Sequence, residues 1–357
     1  MSPWRFWRKR MPSLEPEVGK EGKGEDKGKG EGLGRREFLK MGACAVTFFG
    51  LGLYRCTPGD DPSPYTASGR PRAESTPDSR LPILWVEAGV CTGCGVSLLN
   101  SADPAAESLV PGLRLEFQET LMDGYGEAAL NNLQEVRETF AGEYLLVVDG
   151  AVPMGSSAGM TVLGADREGN EITAVDLIQG LGQDCAAAMA LGTCAAFGGI
   201  PTAAPNPGGY RPLVDVLGDE TPLVRIPGCP PHPDWMVGAL TALLTDGAGS
   251  LETDGLDRPL DFFGATVHSG CPRLPSYVSQ DFATKPGDPT RCLYGVGCKG
   301  VFAKGDCPSR LWNGRSFCVA ANHPCLACTA PGFPDAREDV GPEGQEASSP
   351  FFEELER

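Results

Sequence analysis

The chain has no run of 18 uninterrupted apolar residues, and a membrane-spanning helix needs roughly 20. Its last residues, "SSPFFEELER", are polar, so the expectation is a protein without a membrane anchor of its own. Basic side chains are in deficit: 30 Lys and Arg stand against 47 Asp and Glu, for a formal charge of -17. Residues 1–40 hold 11 basic and 7 acidic groups, so the remainder of the chain stands at -21. Binding to a nucleic-acid backbone needs clustered Lys and Arg and is excluded as the main role; a body this acidic suits plain solubility or the docking of a cationic partner. Histidine is nearly absent, with three residues in 357, which leaves thiolates as the abundant soft metal ligand. Beyond about residue 255 long apolar runs also disappear, and Gly, Pro, Asp and Cys replace them. A hydrophobic core alone does not hold such a segment together.

What the chain does have is cysteine, 14 residues of it. The length predicts about two domains with enough chain to bury a core, so disulfides are not required for stability. Compartment decides how the cysteines are read: disulfides in an exported protein, metal or redox chemistry in a cytosolic one. The segment "RREFLKMGACAVTFFGLGL" (35–53) combines Arg35-Arg36, a Phe-Leu-Lys continuation and an uncharged run from Met41 to Leu53. That run is too short to span a bilayer and reads as the apolar part of a twin-arginine signal, with an ordinary amphipathic helix start as the rival. The twin-arginine route carries folded proteins, so thiolates can take metal in the reducing cytoplasm and reach the periplasm already occupied. Residues 1–56 are then a disordered N-terminus and signal, and 57–81 a Pro/Ser/Asp linker in which cleavage falls. Cys56 is preceded by Tyr54 and Arg55, poor residues for a lipid-attachment site.

After the linker, short apolar runs alternate with helical patterns. Residues 83–89, 143–152, 185–194 and 223–229 read as buried strands, and 127–140 and 233–244 as helices. Such alternation predicts an α/β domain over 82–250, a doubly wound parallel sheet whose ligands lie beyond the carboxyl ends of its strands. Three of the four strands run into cysteine: Cys91 and Cys94 in "VCTGCGVSLL", Cys194 in "GTCAAFGG" and Cys229 in "PGCPPHPDW". Four thiolates brought to one edge by three strand ends, each strand end beside Gly or Pro, meet the needs of a 4Fe-4S cube, in which each iron takes one thiolate. Taken singly, a CxxC pair also fits zinc or dithiol chemistry, and a cysteine ending a buried strand is commonly a small apolar filler.

The mostly irregular segment 255–335 offers two further ligand groups. His268, Cys271, Cys292 and Cys298 make three thiolates and one imidazole; Cys307, Cys318, Cys325 and Cys328 make four thiolates. Zinc fits either group by count. Three sites of four soft ligands in one chain suggest a relay instead. Residues 336–357 form a C-terminal tail, and Cys185 reads as a core thiol.

The ordered set "CTGCGVSLLN", "GTCAAFGGIP", "PGCPPHPDWMVG", "HSGCP", "GCKG", "CPSRLWN" and "HPCLACTAPGFPD", behind a twin-arginine segment, resembles the small subunit of the periplasmic nickel-iron hydrogenases. The resemblance covers about residues 82–335. It implies a flavodoxin-like domain with a proximal cluster, an irregular iron-sulfur domain with medial and distal clusters, and nickel held in a separate large subunit. By position, Cys91, Cys94, Cys194 and Cys229 would ligate the proximal cluster; His268, Cys271, Cys292 and Cys298 the distal one; Cys307, Cys325 and Cys328 the medial one. Most of the family has proline and a 3Fe-4S cluster where this chain has Cys318, so a fourth medial thiolate predicts three 4Fe-4S clusters, the pattern of the nickel-iron-selenium branch. Gly93 and Gly199 stand where oxygen-tolerant members carry extra cysteines, and position 95 is Gly where Ser is usual. The implied function is electron transfer from H2 oxidation in the large subunit to an external carrier, with a Lys-rich c-type cytochrome matching the acidic body. Two rivals stay open: the small subunit of a quinone-reductase-type complex, which shares the first domain but lacks a three-cluster second half, and an exported zinc-stabilised binding module.

Overall fold

The computed structural model describes residues 80–334 except 123, 167, 168 and 219. The expected signal, most of the linker, the C-terminal tail, Cys44 and Cys56 lie outside the described residues. Five strands form the central sheet: β1 (Ile83–Glu87), β2 (Leu115–Gln118), β3 (Leu145–Asp149), β4 (Ala187–Leu191) and β5 (Leu223–Ile226). Their spatial order is β2-β1-β3-β4-β5 and every pairing is parallel. This is the flavodoxin-like order, with its topological switch between β1 and β3.

The sequence explains why both faces are covered. β1, β3 and β4 are continuous apolar runs rather than alternating ones, as expected of strands buried on both sides. On one face Ile83, Trp85, Leu145, Val147, Met189 and Val224 meet α1 (Gly93–Leu98) and α2 (Ala106–Gly112). On the other Leu84, Val86, Leu146, Val148, Ala188 and Ala190 meet α3 (Gly126–Thr139) and α4 (Ala174–Asp184), with Ala195 and Ala196 of the short α5 (Gly192–Phe197) joining them. α3 presents Ala129, Leu133 and Val136 at a helical period, and α4 opens with Thr173, whose hydroxyl accepts from Asp176 N. The first face is completed by α6 (Pro233–Asp246), which is apolar nearly all round because it lies between the sheet and the ligand-rich segment that follows.

The expected strands are present but shorter, since each Gly- or Cys-bearing end leaves the ladder. The expected helices at 127–140 and 233–244 are α3 and α6. β2 escaped the sequence reading: it is a four-residue edge strand whose first two residues are only half-buried, so neither length nor continuity marks it. Register matters most for the site. Glu87, Asp149, Leu191 and Ile226 lie side by side across the sheet, so the loops carrying Cys91, Cys94, Cys194 and Cys229 emerge at one edge.

From residue 251 onward the backbone is mostly turns, with short helices at Leu260–Phe263, Leu274–Val278 and Cys307–Arg310. Its core is small, with nine buried members that include Val267, Leu293, Phe317, Val319 and Cys325. Polar links fasten this part to α6 and its flanks. Trp235 Nε1 donates to Asp306 Oδ1 at 2.8 Å, and Arg310 pairs with Asp306 at 2.5 Å and Asp234 at 3.1 Å. Buried Arg258 pairs with Asp254 at 2.6 Å and Lys304 joins at 3.2 Å. Burial alone would raise the Asp254 carboxyl, but the Arg258 hydrogen bonds and charge outweigh it and hold the group at about 2.

Candidate metal centres

At the sheet edge, the turn after β1 puts Thr92 in the left-handed region and starts α1, bringing Cys91 and Cys94 to one side. Gly192 opens α5, which carries Cys194, with φ at +80°. A Cβ there would stand 2.6 Å from Cys94 Sγ, so only glycine lets this backbone approach the thiol. The Cys194 and Cys229 loops are pinned together: Thr193 N donates to Gly228 O at 2.9 Å, and Gly228 N to Thr193 Oγ1 at 2.8 Å. Ser97 Oγ donates to Pro231 O at 2.7 Å, tying α1 to the same loop.

Three of these thiols are raised. Burial raises Cys94 most, with Asp149, Cys194 and Cys91 adding to it; burial raises Cys194 to about 12, with Cys229, Asp149 and Cys91 contributing; burial and Cys91 raise Cys229. Asp149, at the end of β3, is pushed up to about 7 by burial despite a hydrogen bond with Cys94, and its Oδ2 has no partner. Behind it Glu119 receives both of its hydrogen bonds at 3.2 Å from Glu87 N, and burial lifts its carboxyl to about 8.

The ligand-rich segment carries the two further ligand groups expected from the sequence. Burial raises Cys271 and Cys292, and each is raised further by Cys298. Cys271 N donates to His268 O at 3.1 Å and His268 N to Gly300 O at 3.0 Å, which brings the histidine into the loop pair that carries Cys298. The His268 ring stands edge-on to Tyr277 with centroids 4.3 Å apart, and burial lowers its basicity, favouring the neutral imidazole that ligates metals. In the second set burial lifts Cys307 to about 12, with Cys328, Asp306 and Cys318 contributing. Cys325 is raised by burial, Cys298, Cys328 and Cys318, and Cys328 reaches about 11 through burial, Cys318 and Cys229. Cys318, exposed as a residue, keeps a thiol raised chiefly by burial.

Hydrogen bonds link the sets to one another. Cys325 N donates to Cys298 Sγ at 3.3 Å, and Thr193 Oγ1 donates to Cys328 O. The twelve candidates lie among the described residues, and the influences between their thiols run both within the three expected groups and across them, from Cys298 to Cys318 and Cys325 and from Cys229 to Cys328. The other cysteine and histidines stand apart. Cys185 caps α4 at the rim of the core, His232 is buried with Nδ1 accepting from Asp234 N, and His323 is exposed. Sequence reasoning missed Asp149 and Arg273, which bond to the thiols of Cys94 and Cys271, and Glu119, which feels the charge of Asp149. Only their positions at strand ends and two residues past Cys271 could have pointed to them.

Four-thiol and three-thiol-plus-imidazole sets are soft donor sets, and at the first of them the Gly192 backbone comes so near Cys94 Sγ that no side chain fits between them. Among the described residues no three His, Cys, Asp or Glu side chains close around a single ion. The donors suit a polynuclear iron-sulfur group, whose irons each take one ligand, better than one tetrahedral zinc.

Residues 263–340 match the family described as the C-terminal part of the NiFe/NiFeSe hydrogenase small subunit, and 91–243 match NADH ubiquinone oxidoreductase, 20 Kd subunit. The chain is 39% identical over 324 residues to the periplasmic [NiFeSe] hydrogenase small subunit of Desulfomicrobium baculatum, covering 85% of this chain and 97% of that one. It is 34% identical over 311 residues to the periplasmic [NiFe] hydrogenase small subunit of Solidesulfovibrio fructosivorans, covering 85% and 91%. Among solved structures, the [NiFeSe] hydrogenase from Desulfovibrio vulgaris Hildenborough superposes with a TM-score of 0.69 at 37% identity, over 76% of this chain and all of that one. The reduced Ni-Fe-Se hydrogenase from Desulfomicrobium baculatum gives 0.69 at 38% identity, over 75% and 100%. With the fold and these likenesses in agreement, the chain belongs to the NiFe/NiFeSe hydrogenase small-subunit family.

Proposed function

We propose that this chain is the electron-transferring small subunit of a heterodimeric hydrogenase whose nickel site lies in a separate large subunit. The observation that carries the reading is the likeness to hydrogenase small subunits over most of the chain, in which eleven cysteines and His268 supply donors for three groups of four. Cys91, Cys94, Cys194 and Cys229 would hold the proximal cluster, Cys307, Cys318, Cys325 and Cys328 the medial one, and His268, Cys271, Cys292 and Cys298 the distal one. Each 4Fe-4S cluster, when bound, supplies one reversible one-electron site. The domain division is the flavodoxin-like part at 82–250 and the iron-sulfur part at 255–335.

The chain's own residues do the rest. Burial keeps the free thiols protonated, so ligation displaces protons and the occupied sites are favoured as pH rises. Gly192 lets the backbone close on the proximal site, and the Cys325 N–H to Cys298 Sγ bond provides a direct link between the medial and distal ligands. H2 splitting in the partner yields two protons and two electrons; the protons stay with the partner and the electrons leave through this chain. Export by the twin-arginine route to the periplasm, with the clusters inserted beforehand, and a Lys-rich c-type cytochrome as acceptor complete the proposal. The match over residues 91–243 is what a quinone-reductase small subunit would share, while the match over 263–340 favours the hydrogenase reading.

The test is H2-dependent reduction of a viologen dye by the anaerobically purified complex beside the isolated chain. Activity in the complex and none in the brown chain alone is expected. Iron and sulfide without H2 activity in the complex would favour the quinone-reductase reading, and zinc without iron would end the redox account.

A further inference from the structure

Two arginines are buried among the described residues, and they are treated differently. Arg258 lies against a carboxylate, Asp254, at 2.6 Å. Arg273 is 8% exposed and meets none. Its Nη1 donates to Asp288 O at 2.8 Å and Arg291 O at 2.9 Å, and its Nη2 to Val319 O at 3.1 Å and Asn322 Oδ1 at 2.5 Å. All four acceptors are neutral. A guanidinium carries its charge throughout the physiological pH range, and a buried charge needs a counter-charge to persist. The Asp288 carboxylate is turned to other donors, the backbone N–H groups of Thr290 and Arg291.

The anionic group within reach is the distal ligand set. Arg273 N donates to Cys271 Sγ at 3.4 Å, and Arg291, whose carbonyl accepts from the guanidinium, directly precedes Cys292. The same side chain ties the loops of two sites together, with Asp288 and Arg291 on the distal side and Val319 and Asn322 beside Cys318 on the medial side.

We propose that Arg273 is the built-in counter-charge of the distal site, a potential-setting residue that holds the distal cluster easier to reduce than the medial one. The inference rests on the assignment of His268, Cys271, Cys292 and Cys298 as distal ligands. One electron passing from the medial to the distal cluster oxidises the first and reduces the second, which adds one negative charge beside the guanidinium. A fixed cation therefore favours the reduced distal state, and the single imidazole among its ligands acts in the same direction by leaving one fewer thiolate charge.

The experiment is an EPR-monitored redox titration of the intact heterodimer carrying Arg273→Gln, Arg273→Lys or Asn322→Asp. Asn322→Asp keeps the arginine and places a carboxylate on its guanidinium, so it neutralises the charge even if Arg273→Gln fails to assemble. Arg273→Gln and Asn322→Asp should lower the reduced-to-oxidised ratio of the distal cluster at least tenfold at fixed potential, about 59 mV for one electron. Arg273→Lys should retain most of the wild-type value. An unchanged distal potential in Asn322→Asp, or an equal drop in the lysine and glutamine variants, would overturn the inference. Failure of the wild-type complex to show any cluster signal that is lost on replacing Cys292 would instead overturn the ligand assignment beneath it.

Discussion

Replacing Gly192 with alanine separates the cost of backbone strain from the cost of crowding the proximal site. Gly192 has φ +80°, a region in which an L side chain loses about 1–2 kcal/mol. The new Cβ would also stand 2.6 Å from Cys94 Sγ, 3.7 Å from Gly228 O and 3.8 Å from Asp149 Oδ1, and Cys94 is buried with little room to retreat. Overpacking of this kind adds about 1–3 kcal/mol, for a total of about 2–5 kcal/mol. Gly218 is the control. It has φ +74° and ψ -171°, a region that only glycine adopts readily, and nothing within 4 Å of its Cβ position, so Gly218→Ala carries a backbone strain of about 1–3 kcal/mol without the contact. Thermal unfolding of the complex with iron analysis distinguishes the two. Gly192→Ala should lower Tm by about 5–15 °C and lose close to four irons, whereas Gly218→Ala should lower Tm by a few degrees with iron intact. Equal Tm losses in the two variants with full iron in both would refute the claim that this glycine exists to let the chain approach the cluster thiol.

Two further predictions follow from the same geometry. Cys318 is exposed, so Cys318→Ala should cost the fold little; iron should fall from about twelve to about eleven per chain, with a new EPR signal from an oxidised 3Fe-4S centre, and unchanged iron with no signal would remove Cys318 from the medial site. Glu119 holds its proton up to about 8, chiefly through burial, so folding of the wild-type chain loses stability as pH rises from the ordinary carboxylate range near 4.5 towards 8. Glu119→Gln keeps an acceptor for Glu87 N without titrating. It should be more stable than wild type by about 2 kcal/mol at pH 8, allowing for the residue's partial contact with solvent, and no more stable at pH 4; a Tm difference independent of pH would contradict this.

The sheet was legible because β1, β3 and β4 are nearly continuous apolar runs followed closely by glycine, and the proximal ligand candidates stood out because they follow strand ends. β2 was not, since a four-residue edge strand with half-exposed residues carries no periodic signal. The ligand-rich half could be read as donors but not as a fold. Its helices are five residues or fewer, and its order comes from loop-to-loop links such as Cys325 N to Cys298 Sγ, which spacing along the chain does not encode. The charges around the sites were also hidden. Whether Arg273 or Asp149 is paired depends on which loops pack against it, and the sequence shows neither the unpartnered Oδ2 nor the all-neutral acceptors of the guanidinium. In both halves the sequence names the chemistry and the packing decides its electrostatics.

The central claim is that this chain is a three-centre relay fed by H2 through its partner. Its most direct test is to mix the oxidised heterodimer with H2 in the absence of any acceptor and count the electrons that reach this chain, from the bleaching of its broad iron-sulfur absorbance. The account predicts about three electrons per chain, one for each centre. Bleaching that stops at one electron, or absorbance that does not respond to H2, would contradict it.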